Sequence, residues 1–309
     1  MTRHAVEEPS ASVVVVAYRR PQALAALLDA LDGSSAEVVV VNVGDDPEVR
    51  AAASRARVPV RTFAIANRGF GAAVNAGAAA ARGDVVVFTN DDVVIDASAV
   101  STLVRSVHDD VDVALPRVVN CDGQEQRTVR ALPTPGRLLL EWALLPDRPI
   151  RTLDRWSRVE KWRSPRTVER VVAASAVTVA VRADVLRETP LPEEYFLYWE
   201  ELEWFWRLRE RGRRLVMVPA VDVVHGGGHA DVRPEKSRLL ARNAVRCVRR
   251  TQGRAAALAA FVIVIVWNAR LFLLDGLRWA VSAREESAPR FAARRAGLEA
   301  ALASWRELR

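Results

Sequence analysis

The chain has 309 residues, 50% of them hydrophobic and 27% charged, with a formal net charge of +7. That length suits one large α/β domain with an appendage or two modest domains, and that composition supports a sizeable core and excludes wholesale disorder. Two cysteines, Cys121 and Cys247, exclude a disulfide framework and a four-thiolate zinc centre, so a reducing cytosolic setting is expected.

No long apolar run precedes the first strand pattern, which argues against a cleaved signal peptide. Segments 12–17 (SVVVVA), 37–43 (EVVVVNV), 58–63 (VPVRTF) and 84–88 (DVVVF) are short, β-branched and almost continuously apolar. Such runs predict strands buried on both faces of a parallel sheet. Helical patterns lie between them at 21–32, where Pro21 suits a first turn, and at 46–56 and 71–81. The alternation predicts a doubly wound, mostly parallel α/β sheet over roughly the first 115 residues. Ligands bind beyond the carboxyl ends of such strands. That directs attention to Ala17–Arg19, Asn42–Asp46, Asn67–Gly71 and Asn90–Asp92.

Residues 121–170 are rich in Pro, Arg and Trp and lack periodicity, which predicts a long irregular excursion over the site. A strand pattern follows at 171–181, a helix at 200–211 and paired strands at 214–218 and 221–225. From about residue 234 onward the pattern is helical. The division is therefore a catalytic-type body at 1–231 and a basic helical extension at 232–309. The extension holds 16 Lys/Arg against 6 Asp/Glu, whereas the preceding residues hold 29 against 32. A basic tail on a near-neutral body suits an acidic membrane surface or nucleic acid, and no basic recognition motif supports nucleic acid. The uncharged run Ala255–Trp267 has 13 residues, short of the ~20 that span a bilayer. An interfacial or buried helix is expected there rather than a spanning one.

Four signals carry chemistry. The strand pattern at Val85–Phe88 ends in Thr89-Asn90-Asp91-Asp92, where carboxylates could hold a hard divalent cation on the phosphates of a nucleotide, or simply cap a turn. Asn67-Arg68-Gly69-Phe70-Gly71 opens a helix with two glycines, which suits an anion at a helix start or a plain connection; the third glycine of a dinucleotide fingerprint is missing. Segment 195–207 (YFLYWEELEWFWR) interleaves acids with aromatics at a helix start. It reads either as a general base beside a sugar-binding platform or as acids favoured by the helix dipole. His225-Gly226-Gly227-Gly228-His229 offers a metal ligand with room for close approach, or a structural strand-end histidine.

Taken in order, VVVVAYRRP, NRGFGAAVNAG, FTNDDVVI, DGQEQRTVRALPTP, EEYFLYWEELEWFWRLRERG and VPAVDVVHGGGH resemble the family 2 glycosyltransferases of the GT-A fold, over roughly residues 11–250. Within that family the similarity is to the rhamnosyltransferase-like bacterial branch. The resemblance implies a GT-A-type sheet and inverting transfer of a sugar, rhamnose-like or related, from a dTDP- or UDP-linked donor to a polyprenyl-linked acceptor or growing cell-surface glycan. It implies Mg2+ or Mn2+ as cofactor; the basic tail adds an expectation of peripheral contact with the inner face of the cell membrane, and a homo-oligomer is left open. By the same resemblance Ala17, Tyr18, Asn42, Arg68, Gly69, Gly71, Asn75, Asn90 and Asp91 fall on donor-binding positions, and Asp92 and His225 on the metal site. Glu201 falls on the general base, with Glu200 and Arg207 as its catalytic neighbours. Tyr198, Trp199 and Trp204 would form the acceptor platform. Asn42 and Glu201 each replace an Asp of the family pattern, Arg19 replaces a small polar residue, and Ala176 replaces a frequent Gly. The first two substitutions motivate an alternative, a catalytically impaired member acting as a binding or scaffold subunit.

Overall fold

The computed structural model describes residues 9–140, 169–226, 233–282 and 287–308. Part of the predicted excursion (141–168) and His229 lie outside the described residues.

The valine-rich runs become strands because both sheet faces are covered. β1 (Ala11–Ala17) lies between β2 (Glu37–Val43) and β4 (Val85–Asn90), all parallel. β3 (Val60–Ile65) extends the sheet beyond β2; it starts two residues later than the apolar pattern suggests, just past Pro59. The returns are α1 (Pro21–Ala30), α2 (Pro47–Ser54) and α3 (Phe70–Ala80). Past β4 come the two-residue β5 (Val93–Val94), α4 (Ala97–Arg105), β6 (Val113–Val119), β7 (Val129–Arg130) and α5 (Pro135–Leu138).

The chain resumes with β8 (Glu169–Arg170), β9 (Ala173–Ala174), β10 (Thr178–Arg182), α6 (Ala183–Glu188), α7 (Glu200–Glu210) and β11 (Leu215–His225). The main sheet runs β3-β2-β1-β4-β10-β6-β11-β5. β10 is antiparallel to both β4 and β6, so the sheet is mixed where the helical alternation stops. The run predicted as one strand at 171–181 is thus split between β9 and β10. The paired strands predicted at 214–218 and 221–225 are one strand, whose register against β6 shifts between Val218 and Asp222. Pro219 within that shift lacks an N–H, and an irregularity accommodates it.

Alternate valines feed two cores. Val14, Val39, Val41 and Val86 enter one; Val13, Val15, Val38 and Val87 enter the other. The first core also takes in the C-terminal unit of α8 (Pro234–Gln252), α9 (Arg254–Ser282) and α10 (Ser287–Ala303). Ala244, Val245, Cys247 and Val248 of α8 pack into the same cluster as Phe88, Tyr195 and Trp204. Helix α9 does not stop at the polar residues that bounded the apolar run in the sequence. Asn268 turns its Nδ2 back to the Val264 carbonyl (2.8 Å), and Asp275 accepts from Arg294 Nε (2.9 Å). By length and composition Arg254–Leu277, 24 residues with mean hydropathy 2.3, is enough to cross a membrane.

Candidate functional site

One end of the site is built on a regular β-ladder. β4 delivers Asn90 at its carboxyl end, and the chain turns through Asp91 and Asp92 into β5. β5 pairs with the end of β11 so that His225 faces Val93, and Gly226 N–H donates to the Asp92 carbonyl (2.9 Å). This pairing sets His225 Nε2 3.5 Å from Asp92 Oδ1. On its other side His225 Nδ1 lies 2.9 Å from Gln126 Oε1, while Gln126 Nε2 donates to the His225 carbonyl (3.0 Å) and to Asn120 Oδ1 (2.7 Å). Those two acceptors fix which way the amide points, and an amide oxygen only accepts. Nδ1 therefore carries a proton, and Nε2 is the ring nitrogen that faces Asp92.

The two aspartates differ in kind. Asp91 is buried, accepts from Tyr18 N–H (2.7 Å) and lies 4.0 Å from Arg20 Nη1. Burial, aided by the neighbouring Asp92 charge and only partly offset by Tyr18 and Arg20, lifts its pKa to about 6. For Asp92 burial also pushes upward, but His225 and Arg20 outweigh it and hold the carboxyl below the usual range. Arg20 makes a direct ion pair with Asp92. Among the described residues no cluster of three or more His, Cys, Asp or Glu side chains forms. The donor set that fits a divalent cation is therefore Asp92 oxygen and His225 nitrogen, with further positions left to non-protein ligands.

The donor-side residues fall along the ends of β1, β2 and β3. Ala17 is buried and Tyr18 is exposed. Asn42 is spent locally: Nδ2 donates to the Asp46 carbonyl (2.8 Å) and Oδ1 accepts from Asp46 N–H (2.9 Å), which shapes the β2–α2 turn. Asn75 ties α3 to the 191–193 segment through Leu191 and Glu193, and Arg68 reaches the same Glu193 (2.7 Å). Gly69 has φ +99°, and a Cβ there would land on the Phe196 carbonyl, which accepts from Phe70 N–H (2.8 Å). Gly71 packs against the Pro192 carbonyl, 2.8 Å from where its Cβ would sit. Both glycines are required for close approach rather than for a phosphate fingerprint.

The other end of the site is the 195–201 loop and the start of α7. Phe196, Tyr198 and Trp199 all have positive φ (66°, 68° and 77°), a backbone that costs of order 1 kcal/mol or more per residue. Asn243 of α8, fully buried, holds that loop: its Nδ2 lies within 3.0 Å of the Tyr195, Leu197 and Tyr198 carbonyls. The three carboxylates that follow have separate fates. Glu201 pairs with Arg130 Nη1 (3.0 Å), both largely shielded, and Arg130 also stacks 5.8 Å from the Trp199 ring. Glu203 is buried among Tyr195 Oη, Arg207 and Arg250 Nε (2.8 Å). Glu200 is buried with Oε2 unpartnered; burial first, and the Glu201 charge second, raise its pKa well above the carboxylate range. The dipole of α7 favours negative charge here, yet only two of the three acids have a cation beside them.

One short segment ties the two ends together. Gln126 holds His225 and Arg130 holds Glu201, and four residues of extended chain span at most ~14 Å.

The sequence matches the model for Glycosyl transferase family 2 over residues 12–172, just over half of the chain. The chain belongs to glycosyltransferase family 2. No curated protein sequence matches it. Among solved structures, GalNAc-T7 with UDP, GalNAc and Mn2+ aligns at TM-score 0.55 and 17% identity, covering 79% of this chain and 48% of that one. The chain thus spans about half the length of that relative. The glucosyl-3-phosphoglycerate synthase of Mycobacterium tuberculosis, in complex with Mn2+, UDP and glucosyl-3-phosphoglycerate, aligns at TM-score 0.52 and 16% identity, covering 79% of this chain and 80% of that one. At such identities the likeness is one of fold, and the fold is GT-A.

Within this family member the structure brings Asp92 and His225 together while Asp91 turns to Tyr18 N–H, and it groups Arg68, Gly69 and Asn75 against the loop that leads to Glu200 and Glu201. Three residues stand apart from their expected places, the first being Trp199, which is buried beneath Arg130 rather than open to an acceptor. Trp204 is fully buried, packed against Phe88 (5.7 Å) and Phe205 (5.0 Å) with Nε1 on the Thr189 carbonyl (2.7 Å), so it offers no face to an acceptor. Arg207 serves Glu203 rather than the Glu200–Glu201 pair. Arg20, Gln126, Arg130 and Asn243 had no assigned role in the sequence reading. The hints to them were that Arg20 lies within VVVVAYRRP and that Gln126 and Arg130 lie within the DGQEQRTVRALPTP stretch.

Proposed function

We propose that this glycosyltransferase is an inverting enzyme that moves a sugar, a deoxyhexose or a relative, from a dTDP- or UDP-linked donor. The acceptor would be a polyprenyl-linked or growing cell-surface glycan at the cytoplasmic face of the membrane. The observation that carries the reading is the Asp92–His225 pair at the strand ends, joined through the Gln126–Arg130 segment to Glu201. The solved structures with UDP and Mn2+ support a nucleotide donor and a divalent cation, either Mg2+ or Mn2+. The rhamnosyltransferase-like motif order supports the choice of sugar and acceptor.

Asp92 and His225 would hold the cation, which neutralises charge developing on the departing nucleoside diphosphate. The chain's own groups do the rest. Breaking the anomeric C–O bond leaves its electron pair on the diphosphate, while an acceptor hydroxyl attacks from the opposite face and loses its proton to Glu201. Arg130 orients Glu201 through Oε1, which leaves the second oxygen to take that proton. Glu200 lies beside the base, and its burial together with the Glu201 charge pushes its pKa upward. The half-buried Tyr198 on that turn would take the acceptor, with the buried Trp199 behind it under Arg130.

The test is donor hydrolysis or transfer across a panel of nucleotide sugars with Mg2+ or Mn2+. Turnover that EDTA abolishes is expected. No turnover and no EDTA-sensitive nucleotide binding with any donor overturns the reading. A second reading, a binding or scaffold subunit, draws on the Arg130–Glu201 ion pair, which occupies the proposed base. Unchanged transfer by Glu201→Ala removes Glu201 from the base role.

A further inference from the structure

Helix α9 is built inside out. Its packed face includes Ala257, Ala260, Ile263 and Val264, but also the buried polar Asn268 and Asp275. Its exposed face is Leu258, Val262, Val266, Leu273 and Leu277, each between 50% and 67% exposed. At 100° per residue these five fall within one arc of about 100°. A helix designed for water turns its polar residues outward; one that meets hydrocarbon turns them toward its protein partners. Only 22% of the apolar window is buried, which sets α9 apart from the core helix of a soluble protein.

We infer that this face of α9 seats in the acyl layer of an anionic lipid surface, with the helix lying in the interface plane rather than crossing the bilayer. The inference rests on the membrane-facing part of the proposed function and specifies the surface that does the docking. Charge complementarity identifies the partner. The extension carries 16 Lys/Arg against 6 Asp/Glu, and Arg238, Arg254, Arg290 and Arg306 are exposed on it. Each such cation near an anionic leaflet is worth about 1 kcal/mol. Arg270, over the Trp267 ring at 5.5 Å, extends from the side of the stripe, an arrangement suited to the headgroup level.

Orientation follows from the neighbours. Asp275 pairs with Arg294 of α10, and α8 and α10 pack along α9. A spanning α9 would drag exposed Arg290, Arg295 and Glu299 of α10 into hydrocarbon, which is costly for each charge. An in-plane α9 leaves them at the headgroups. Leu302 and Trp305, exposed at the end of the unit, add apolar contact of the kind found at interfaces.

The test uses the full chain without donor or acceptor, so its failure leaves the transferase reading untouched. Flotation with phosphatidylglycerol vesicles is expected to capture the protein and phosphatidylcholine vesicles to capture far less. Raised salt should weaken binding, and alkaline carbonate should strip the protein from the vesicles. Val262→Glu with Leu273→Glu should cut vesicle partitioning by at least ~10-fold, with nucleotide binding and far-UV circular dichroism as checks that the fold is kept. A milder pair, Val262→Ser with Leu273→Ser, covers the case in which the charged pair fails to fold and should give an intermediate loss. Equal binding by folded variants and wild type overturns the inference. Resistance to carbonate, with the chain ends on opposite sides of a sealed vesicle, overturns it in favour of spanning. A concentration-dependent dimer without vesicle binding overturns it in favour of a second copy.

Discussion

The cation end and the carboxylate end of the site are built on opposite plans. Asp92 and His225 are aligned by ordinary strand pairing, and the second-sphere partner Gln126 adds two further hydrogen bonds. Glu201 instead follows three residues in left-handed backbone, trapped between Gly69 on one side and Asn243 on the other. β4 and β11, which carry that end, are held in the main sheet through long ladders to β1 and β6, so losing one bond shifts little. A strained loop is held by few contacts, and each has to oppose the strain. The carboxylate end is therefore expected to be the brittle half.

The sharpest break of this comparison is at the base. Glu201→Gln keeps shape and the Arg130 contact through its amide oxygen but cannot take a proton, so transfer should fall about 10²–10⁴-fold. Nucleotide binding, measured by calorimetry, should be unchanged, because the cation end is intact. A loss of nucleotide affinity equal to the loss of rate would merge the two ends into one unit. At the cation end, Gln126→Leu should free the His225 ring and lower Mn2+ affinity about 10–100-fold in the presence of nucleotide, the range typical of second-sphere partners. Imidazole nitrogen chemical shifts should show mixed tautomers in that variant and a single one in the wild type.

The same contrast explains what the sequence could reveal. β1, β2 and β4 match the valine runs closely, because strands buried on both faces need nothing but continuous apolar side chains. Asp92 and His225 stand out because both sit where an apolar strand stops, a position visible one residue at a time. Arg130 is 71 residues from Glu201, Gln126 is 99 from His225, and Asn243 lies on a helix 45 to 48 residues beyond the loop it holds. No local pattern encodes such pairings, and two of them come from a stretch without periodicity. Trp204 misleads for a related reason: aromatic residues interleaved with acids at a helix start look like a platform, yet helical spacing turns that ring inward. The run ending at Trp267 stops in the sequence at residues whose polar groups the fold satisfies inwardly, so the helix outruns its apolar signal.

The brittleness of the loop has its own test. Asn243→Ala removes the donor shared by three loop carbonyls, which should destabilise the protein by about 1–3 kcal/mol. Its kinetic signature should be larger than its effect on donor KM: kcat lowered about 10-fold, as misplacement of the base by a fraction of an ångström predicts. Asn243→Ser, which keeps one donor, should recover part of the rate. Equal changes in kcat and KM for both variants would mean that the loop moves as a block with the donor side.

The aspartate doublet bears on stability rather than on rate, and its effect has a sign that ordinary carboxylates lack. Asp91 has a folded pKa of about 6 against an ordinary value of 3.8, with burial as the first cause. Below about pH 3 the carboxyl is largely protonated in both folded and unfolded chains and makes little difference between them. As pH rises toward 6 the unfolded chain ionises first, so the folded state loses stability across that window, by roughly 3 kcal/mol in the limit of no relaxation. Asp91→Asn keeps an oxygen for Tyr18 N–H and removes the proton equilibrium. The variant should match the wild type near pH 3 and exceed it at pH 7 in urea unfolding. Asp92, held low by His225 and Arg20 against its own burial, predicts the reverse: Asp92→Asn should cost stability at pH 7, and the gap should close as acid protonates the wild-type carboxylate. Two adjacent residues of one type would then tilt the same stability curve in opposite directions, which only their different neighbours can cause.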